Sequence, residues 1–431
     1  MYKSFALLLL AFAPFVDAVE VFEAGAGRET ELPGGKEADG IRGDFVLRSD
    51  TVEAVISHNA HNRRANMSTF YGEDGVSPGC LYDLTLRGAN NDQLVVYGPA
   101  GHGAVSYVRI VEGAKAGEAA VESVTTAAKN GGIYKRNEYR LKDGVQGVFI
   151  TTTLRNESDK AQKVNTKSDL ARFNSQGTTV DGIFWMDAIN PAHKCGYALA
   201  SLRVKGTDKT GDEIELTPGQ EVVKERFFAV GRSPAEAVGE ALEVKGIQVT
   251  PVSGKLRNTD GTPVTTAAVL VPFDGKTGLA AYPDDAGMFA FKVPSGVGEV
   301  RIQDLGREPT TVSLATAPLN VTLKPAAGIR FDITDADGRS MPCKAHFEPL
   351  SANAAPLDLG PKERAHGCVD QYHSEKGQFT VQLPPGKYRV YVVRGPEYDH
   401  IEREVEVPAG GQVEFKGKLT RVVDTAGWIS M

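Results

Sequence analysis

Apolar and polar residues alternate with a period of two along most of this chain, the signature of strands with one buried face. Phe45-Val-Leu-Arg-Ser-Asp-Thr-Val-Glu-Ala-Val-Ile56 reads as two short strands around a polar turn. Further strand patterns fall at 93–97, 104–111, 120–125, 134–141, 148–154, 162–166 and 213–216. Turn residues separate them, as in Lys142-Asp143-Gly144 and Asn156-Glu-Ser-Asp159. Many short strands at close spacing predict an antiparallel sandwich or barrel. A helical period occurs in Arg232-Ser-Pro-Ala-Glu-Ala-Val-Gly-Glu-Ala-Leu242. There Ser233 is the N-cap, Pro234 takes the first helical position and Glu236 closes a capping box. Ala237, Val238, Ala241 and Leu242 form its apolar stripe, and the helix predicts a domain boundary near Lys245.

Beyond that boundary the pattern repeats. Val252-Ser-Gly-Lys-Leu-Arg-Asn-Thr-Asp-Gly261-Thr-Pro263 corresponds to Phe331-Asp-Ile-Thr-Asp-Ala-Asp-Gly338-Arg-Ser-Met-Pro342. Gly287-Met-Phe289-Ala-Phe-Lys-Val-Pro294 corresponds to Gly377-Gln-Phe379-Thr-Val-Gln-Leu-Pro384, with Gly, Phe and Pro at the same offsets. An Asp-Gly turn ends one strand, a second Gly starts the next, alternating apolar residues fill one face and Pro stops it. The pattern resembles the carboxypeptidase-regulatory-like, transthyretin-like module. The second copy, continuing through Pro385-Gly-Lys-Tyr-Arg-Val390, matches its end, but carries Phe331 and Asp332 where the module opens on Gly. The first copy has Gly254 yet reads Pro-Ser-Gly-Val at 294–297. The expected fold class is therefore all-β: a large N-terminal antiparallel β-sandwich followed by two small transthyretin-like β-sandwiches.

Composition narrows the functional classes. The chain of 431 residues carries a net charge of −7 and no basic block, so nucleic acid is not an expected partner. With 47 Gly and 23 Pro it is turn-rich rather than low-complexity. Lys3, the apolar run 5–16 and Val16-Asp17-Ala18 read as a secretory signal peptide, which predicts a secreted or periplasmic protein. No other segment is long and apolar enough to predict a membrane helix. The four cysteines, Cys80, Cys195, Cys343 and Cys368, allow three connectivities. Pairs 80–195 and 343–368 would keep each bridge within one domain, and buried free thiols are the alternative.

Asp424-Thr-Ala-Gly-Trp-Ile-Ser-Met431 resembles the entry to the metal-dependent domain of CehA/McbA-type metallohydrolases of the PHP superfamily. That resemblance implies that a D-x-H-x-H strand would follow with the first metal ligands. No catalytic residue, metal ligand or cofactor is expected within this chain, and a divalent metal would belong to the further domain. The expected organisation is a signal peptide at 1–18 and a sandwich at 19–245, then modules at 246–325 and 326–420, with 421–431 opening the metallohydrolase domain. The stretch Gly43-Asp-Phe-Val-Leu-Arg-Ser-Asp-Thr-Val-Glu-Ala-Val-Ile56 and Asn62-Arg-Arg-Ala-Asn-Met-Ser68 are similar to N-terminal regions of large secreted hydrolases with mutarotase-like super-sandwiches. The expected role is that of an accessory or binding region of a secreted hydrolase. An autonomous extracellular carbohydrate- or protein-binding protein is the alternative, and a mutarotase- or lyase-like enzyme a third.

The expected partners are a glycan or cell-envelope surface and the further domain. Arg63, Arg64 and Asn66 are candidate contacts to a sugar or acidic ligand. Trp185 and Asp187 pair an aromatic ring with a carboxylate, the composition of a sugar platform, although Ile183 and Met186 alongside favour a core strand with Trp185 packed inside. His58 and His61 have H-x-x-H spacing in a loop, and His366, Cys368, Asp370 and His373 cluster in another. Asp335 opens a stretch resembling a calcium loop, but the twelfth place holds His346, so an Asp-Gly turn is expected.

Overall fold

The structure, a computed structural model, describes residues 19–25, 27–65, 75–165, 169–173, 177–180, 182–187, 194–206, 213–273, 277–316, 318–350, 357–360 and 367–427. The signal-peptide segment, Asn66, His366 and residues 428–431 lie outside them. No described helix is long and apolar enough to cross a membrane. The fold is all-β, with multiple antiparallel sheets. The chain divides into two compact units, one formed by 1–176 and 199–230, the other by 177–198 and 231–431.

The strands of the first half are β1 (Glu20–Glu23), β2 (Phe45–Arg48), β3 (Val52–Ile56), β4 (Leu81–Leu86), β5 (Leu94–Gly98), β6 (Tyr107–Ile110), β7 (Glu118–Thr125), β8 (Ile133–Lys142), β9 (Gly147–Asn156), β10 (Gln162–Asn165), β11 (Leu170–Phe173), β12 (Gly177–Val180), β13 (Ile183–Asp187), β14 (Gly196–Lys205), β15 (Glu213–Leu216) and β16 (Glu221–Gly231). In the first unit, one sheet runs β1-β2-β3-β4-β5-β11 and the other β14-β16-β9-β8-β7-β6. The two pack face to face. Tyr97 of β5 meets Phe228 of β16 edge-on at 5.2 Å. The Tyr139 hydroxyl of β8 donates to the Gly79 carbonyl at 2.9 Å. Strict alternation explains the layering: on β8 Ile133, Asn137, Tyr139 and Leu141 are buried, while Tyr134, Arg136, Glu138, Arg140 and Lys142 are only half so.

The second unit contains the β12–β13 hairpin, the helix α1 (Pro234–Val244) and two modules. The Ser233 side chain accepts from the Glu236 N–H, and the Glu236 carboxylate accepts from the Arg232 N–H at 2.8 Å, a variant of the expected capping arrangement. Module strands are β17 (Val249–Asn258), β18 (Ala268–Phe273), β19 (Thr277–Ala281), β20 (Met288–Pro294), β21 (Glu299–Gln303), β22 (Thr310–Ser313) and β23 (Leu319–Leu323), then β24 (Gly328–Thr334), β25 (Cys343–Pro349), β26 (Gly367–Cys368), β27 (Gln371–Ser374), β28 (Gln378–Gln382), β29 (Gly386–Val393), β30 (Ile401–Val407) and β31 (Gln412–Lys418).

The repeat in sequence is a repeat in topology. The first module pairs a sheet β20-β17-β23 with β19-β18-β21-β22, and the second pairs β28-β24-β31 with β26-β27-β25-β29-β30. In each, the opening strand is antiparallel to one neighbour and parallel to the last strand. Register explains the departure at the module opening. Gly254 lies opposite Phe289 and Leu319, and Phe331 lies opposite Phe379 and Phe415. A Cβ on Gly254 would fall 2.4 Å from the Phe289 ring and 2.5 Å from the Leu319 carbonyl. In the second module Phe331 instead stacks on Phe379, with centroids 4.6 Å apart and planes at 6°. One module fills this position from the neighbouring strand, the other from the opening strand itself.

The expected disulfides are not formed. Cys80 and Cys343 are free thiols. Cys343 pairs with Ser374 and Cys368 with Gln371, so β27 runs between the two cysteines. Two strand spacings of about 4.8 Å and three residues of about 3.3 Å along β27 separate them by roughly 14 Å, twice the reach of a disulfide. Cys80 is buried against Ala65, Tyr82, Val95 and Val96, and burial pushes its thiol up to about 12.

Candidate ligand-binding face

The outer side of the second sheet of the first unit is a field of polar groups held in fixed register. Glu122 of β7 lies directly opposite Glu138 of β8. Two like charges in that geometry repel. Arg136 resolves the conflict by donating from Nε to Glu122 and from Nη2 to Glu138, both at 2.5 Å. Arg109 donates to the other oxygen of Glu122 at 2.7 Å. Arg140 bridges Glu138 at 2.7 Å and Glu118 at 2.9 Å, and Lys142 extends the row to Glu118 at 3.3 Å. Burial alone would raise the Glu122 carboxyl, but the hydrogen bonds from Arg136 and Arg109 outweigh it and hold the group below the usual carboxylate range.

At one corner of this field stand two tyrosines. Tyr107 pairs with Val124, which pairs with Arg136, and Tyr134 pairs with Arg155. The Arg109 guanidinium lies 4.9 Å from the Tyr107 ring centre and that of Arg155 4.8 Å from Tyr134. Thr151 and Thr153 of β9 continue the same face, opposite Glu138 and Arg136. Aromatic rings, hydroxyls and planar ion pairs thus share one half-buried surface whose side chains are already ordered before any ligand arrives.

The sequence-derived candidates lie elsewhere. The buried Arg63 side chain donates from Nη2 to Asp44 Oδ2 at 2.7 Å and to the Asp39 carbonyl, from Nη1 to the Arg64 carbonyl, and lies 4.4 Å from the Tyr82 ring centre. Asp44, fully buried, also accepts from the Ile41 N–H, and its other oxygen contacts His58 Nδ1 at 2.6 Å. Nearby Asp83 accepts from the backbone of Asp39 and Gly40, and burial pushes its carboxyl well above the usual carboxylate range against those two hydrogen bonds. These charges tie the 37–44 loop to the sheet. Arg63 is an internal anchor rather than a ligand contact, and the backbone of Arg64 bridges Val76. His58 of the H-x-x-H pair is turned toward Asp44.

Trp185 and Asp187 belong to the second unit. Trp185 is half-buried, with a buried indole N–H that has no acceptor, and Asp187 accepts from the Tyr282 hydroxyl. Asp335 caps its own turn, accepting from the N–H groups of Asp337 and Arg339, as expected of an Asp-Gly turn. His346 is 3.6 Å from Asp370. The outer face was readable only as the polar half of Tyr134-Lys-Arg-Asn-Glu-Tyr-Arg-Leu-Lys142. Which strands stand beside it was not.

No family model matches this chain, and no curated protein does. Among solved structures it is similar to the Bacillus anthracis TIE protein, at 14% identity and a TM-score of 0.17. That alignment covers 76% of this chain and spans 62% of the length of the other. A streptococcal ancillary pilin aligns at 12% identity over 63% of this chain and 81% of its own, with a TM-score of 0.19. A Klebsiella pneumoniae protein described as a candidate aldose 1-epimerase aligns at 11% identity over 53% of this chain and 91% of its own, with a TM-score of 0.26. At these scores no activity transfers from any of them.

Proposed function

We propose that this chain is an exported accessory protein that acts by binding, and that the outer face around Tyr107, Tyr134, Arg136 and Thr153 takes a carbohydrate of the cell envelope. The observation that carries this reading is the ordered row of Arg–Glu pairs beside two tyrosines on an open sheet face. Pyranose rings offer an apolar C–H face for aromatic side chains and paired hydroxyls for planar charged groups. Because the ion pairs fix the rotamers beforehand, a ligand meets a surface with little ordering entropy left to lose. The test is retention of the full chain on envelope polysaccharides in affinity electrophoresis, with Tyr134→Ala and Arg136→Gln expected to lose it while keeping the wild-type circular dichroism. Retention unchanged in both variants overturns the site.

A second reading, that the chain serves a PHP-type metal-dependent hydrolase, rests on the 424–431 sequence. Asp424 accepts from the Ala426 N–H in an exposed turn. Sequencing the transcript is decisive: a reading frame continuing into D-x-H-x-H supports this reading, and a stop codon directly after Met431 with no such frame nearby removes it.

A further inference from the structure

The charges on the outer face of the first unit alternate in sign. From pair to pair the row is Arg109, Glu122, Arg136, Glu138, Arg140, Glu118, Lys142, each joined to the next at 3.3 Å or less. Its middle is sheltered from solvent, for the side chains of Glu122, Glu138 and Arg136 are 6%, 12% and 28% exposed. Salt screens partly buried pairs less than surface ones. The remaining cations of the face are committed too. Arg155 pairs with Glu157, and Glu225 takes both Arg203 and Lys205, at 2.7 and 2.9 Å. Among the described residues of this face, each guanidinium and each amine ends on a carboxylate.

That arrangement discriminates between ligands. A sugar hydroxyl both donates and accepts, so a neutral chain takes remaining N–H groups of the arginines and remaining lone pairs of the glutamates without separating a pair. A glycan bearing carboxylates or sulfates carries one sign throughout. It meets a like charge at every second position of the row, and to gain a guanidinium it must strip that group from a partly buried carboxylate. Resting on the carbohydrate reading above, we infer that this face is selective for neutral polysaccharides, and that Glu122 and Glu138 are the residues that turn acidic ones away. Hydrogen bonds from Arg136 and Arg109 keep the Glu122 carboxyl ionised below the usual carboxylate range, so the barrier persists in mildly acidic solution.

The test is isothermal titration calorimetry of the full chain with neutral polysaccharides (dextran, laminarin, mannan) and acidic ones (polygalacturonate, alginate). The wild type should bind a neutral polysaccharide with an affinity that changes less than about twofold between about 0.1 and 1 M salt, and should not bind the acidic ones. Glu122→Gln keeps the side-chain shape and removes the charge shared by Arg109 and Arg136, and Glu138→Gln does the same for Arg136 and Arg140. Each variant should bind polygalacturonate at least about tenfold tighter than wild type at low salt, the weight of one charge-assisted contact, and lose that gain at about 1 M. Wild type that binds an acidic polysaccharide as tightly as any neutral one, or folded variants that both show no gain, overturns the selectivity and leaves a carbohydrate site standing. No binding of wild type to any polysaccharide removes the carbohydrate reading and the selectivity with it.

Discussion

Replacing Phe331 with alanine probes the module architecture where its two copies differ. Phe331 is 1% exposed and touches three aromatic rings, with centroids of Phe379 at 4.6 Å, Phe415 at 5.1 Å and Phe347 at 6.1 Å. Truncation of a buried Phe costs about 3–5 kcal/mol, and the cost depends on how far the site can collapse. Here collapse is resisted, because β24 is fixed by ladders on both sides, antiparallel to β28 and parallel to β31. A loss in the upper half of that range, at least about 4 kcal/mol, is therefore expected, a large share of the roughly 5–15 kcal/mol that holds a domain together. At about 1.4 kcal/mol per factor of ten, hydrogen exchange of the β24 and β31 amides should accelerate by nearly a thousandfold. The amides of β3 and β4 in the first unit should keep their wild-type rates. Acceleration of less than tenfold in β24, or an equal change in β3 and β4, would refute the claim that this ring is the keystone of one module core.

The complementary change, Gly254→Ala, should cost about 1–3 kcal/mol by overpacking against Phe289 and Leu319, read as a lower denaturation midpoint with an unchanged slope. Ser233→Ala removes the acceptor that caps α1 and should cost about 1 kcal/mol in the same assay. Cys80, raised to about 12, and Cys343, raised to about 11, should resist alkylation at pH 8 until denaturant is added. Glu122 is held below its ordinary pKa, so its contribution to stability is present above the unfolded value and is lost only as pH falls through the lower folded one. Acid titration of the Arg136→Gln variant should therefore show the Glu122 carboxyl protonating at higher pH than in wild type.

Strand existence and the module repeat were legible because period-two alternation and Asp-Gly turns are local properties. The helix start was legible for the same reason, since Ser233, Pro234 and Glu236 act on their own first turn. What was not legible depends on register. Cys343 and Cys368 are close in the chain's plan, yet β27 lies between them. Arg63 has the composition of a ligand contact but pairs with Asp44, nineteen residues earlier. The Glu122–Arg136–Glu138 triad exists only because β7 and β8 align Glu122 with Glu138. Even the compact units do not follow chain order, for 177–198 cluster with 231–431 rather than with the strands around them.

Affinity electrophoresis of the intact chain through envelope polysaccharides, with Tyr134→Ala, Arg136→Gln and Trp185→Ala run alongside, addresses the binding face most directly. Retardation of the wild type and of Trp185→Ala, together with free migration of the folded Tyr134→Ala and Arg136→Gln variants, is the expected result. Free migration of the wild type through every polysaccharide, or retardation lost only with Trp185→Ala, would contradict it.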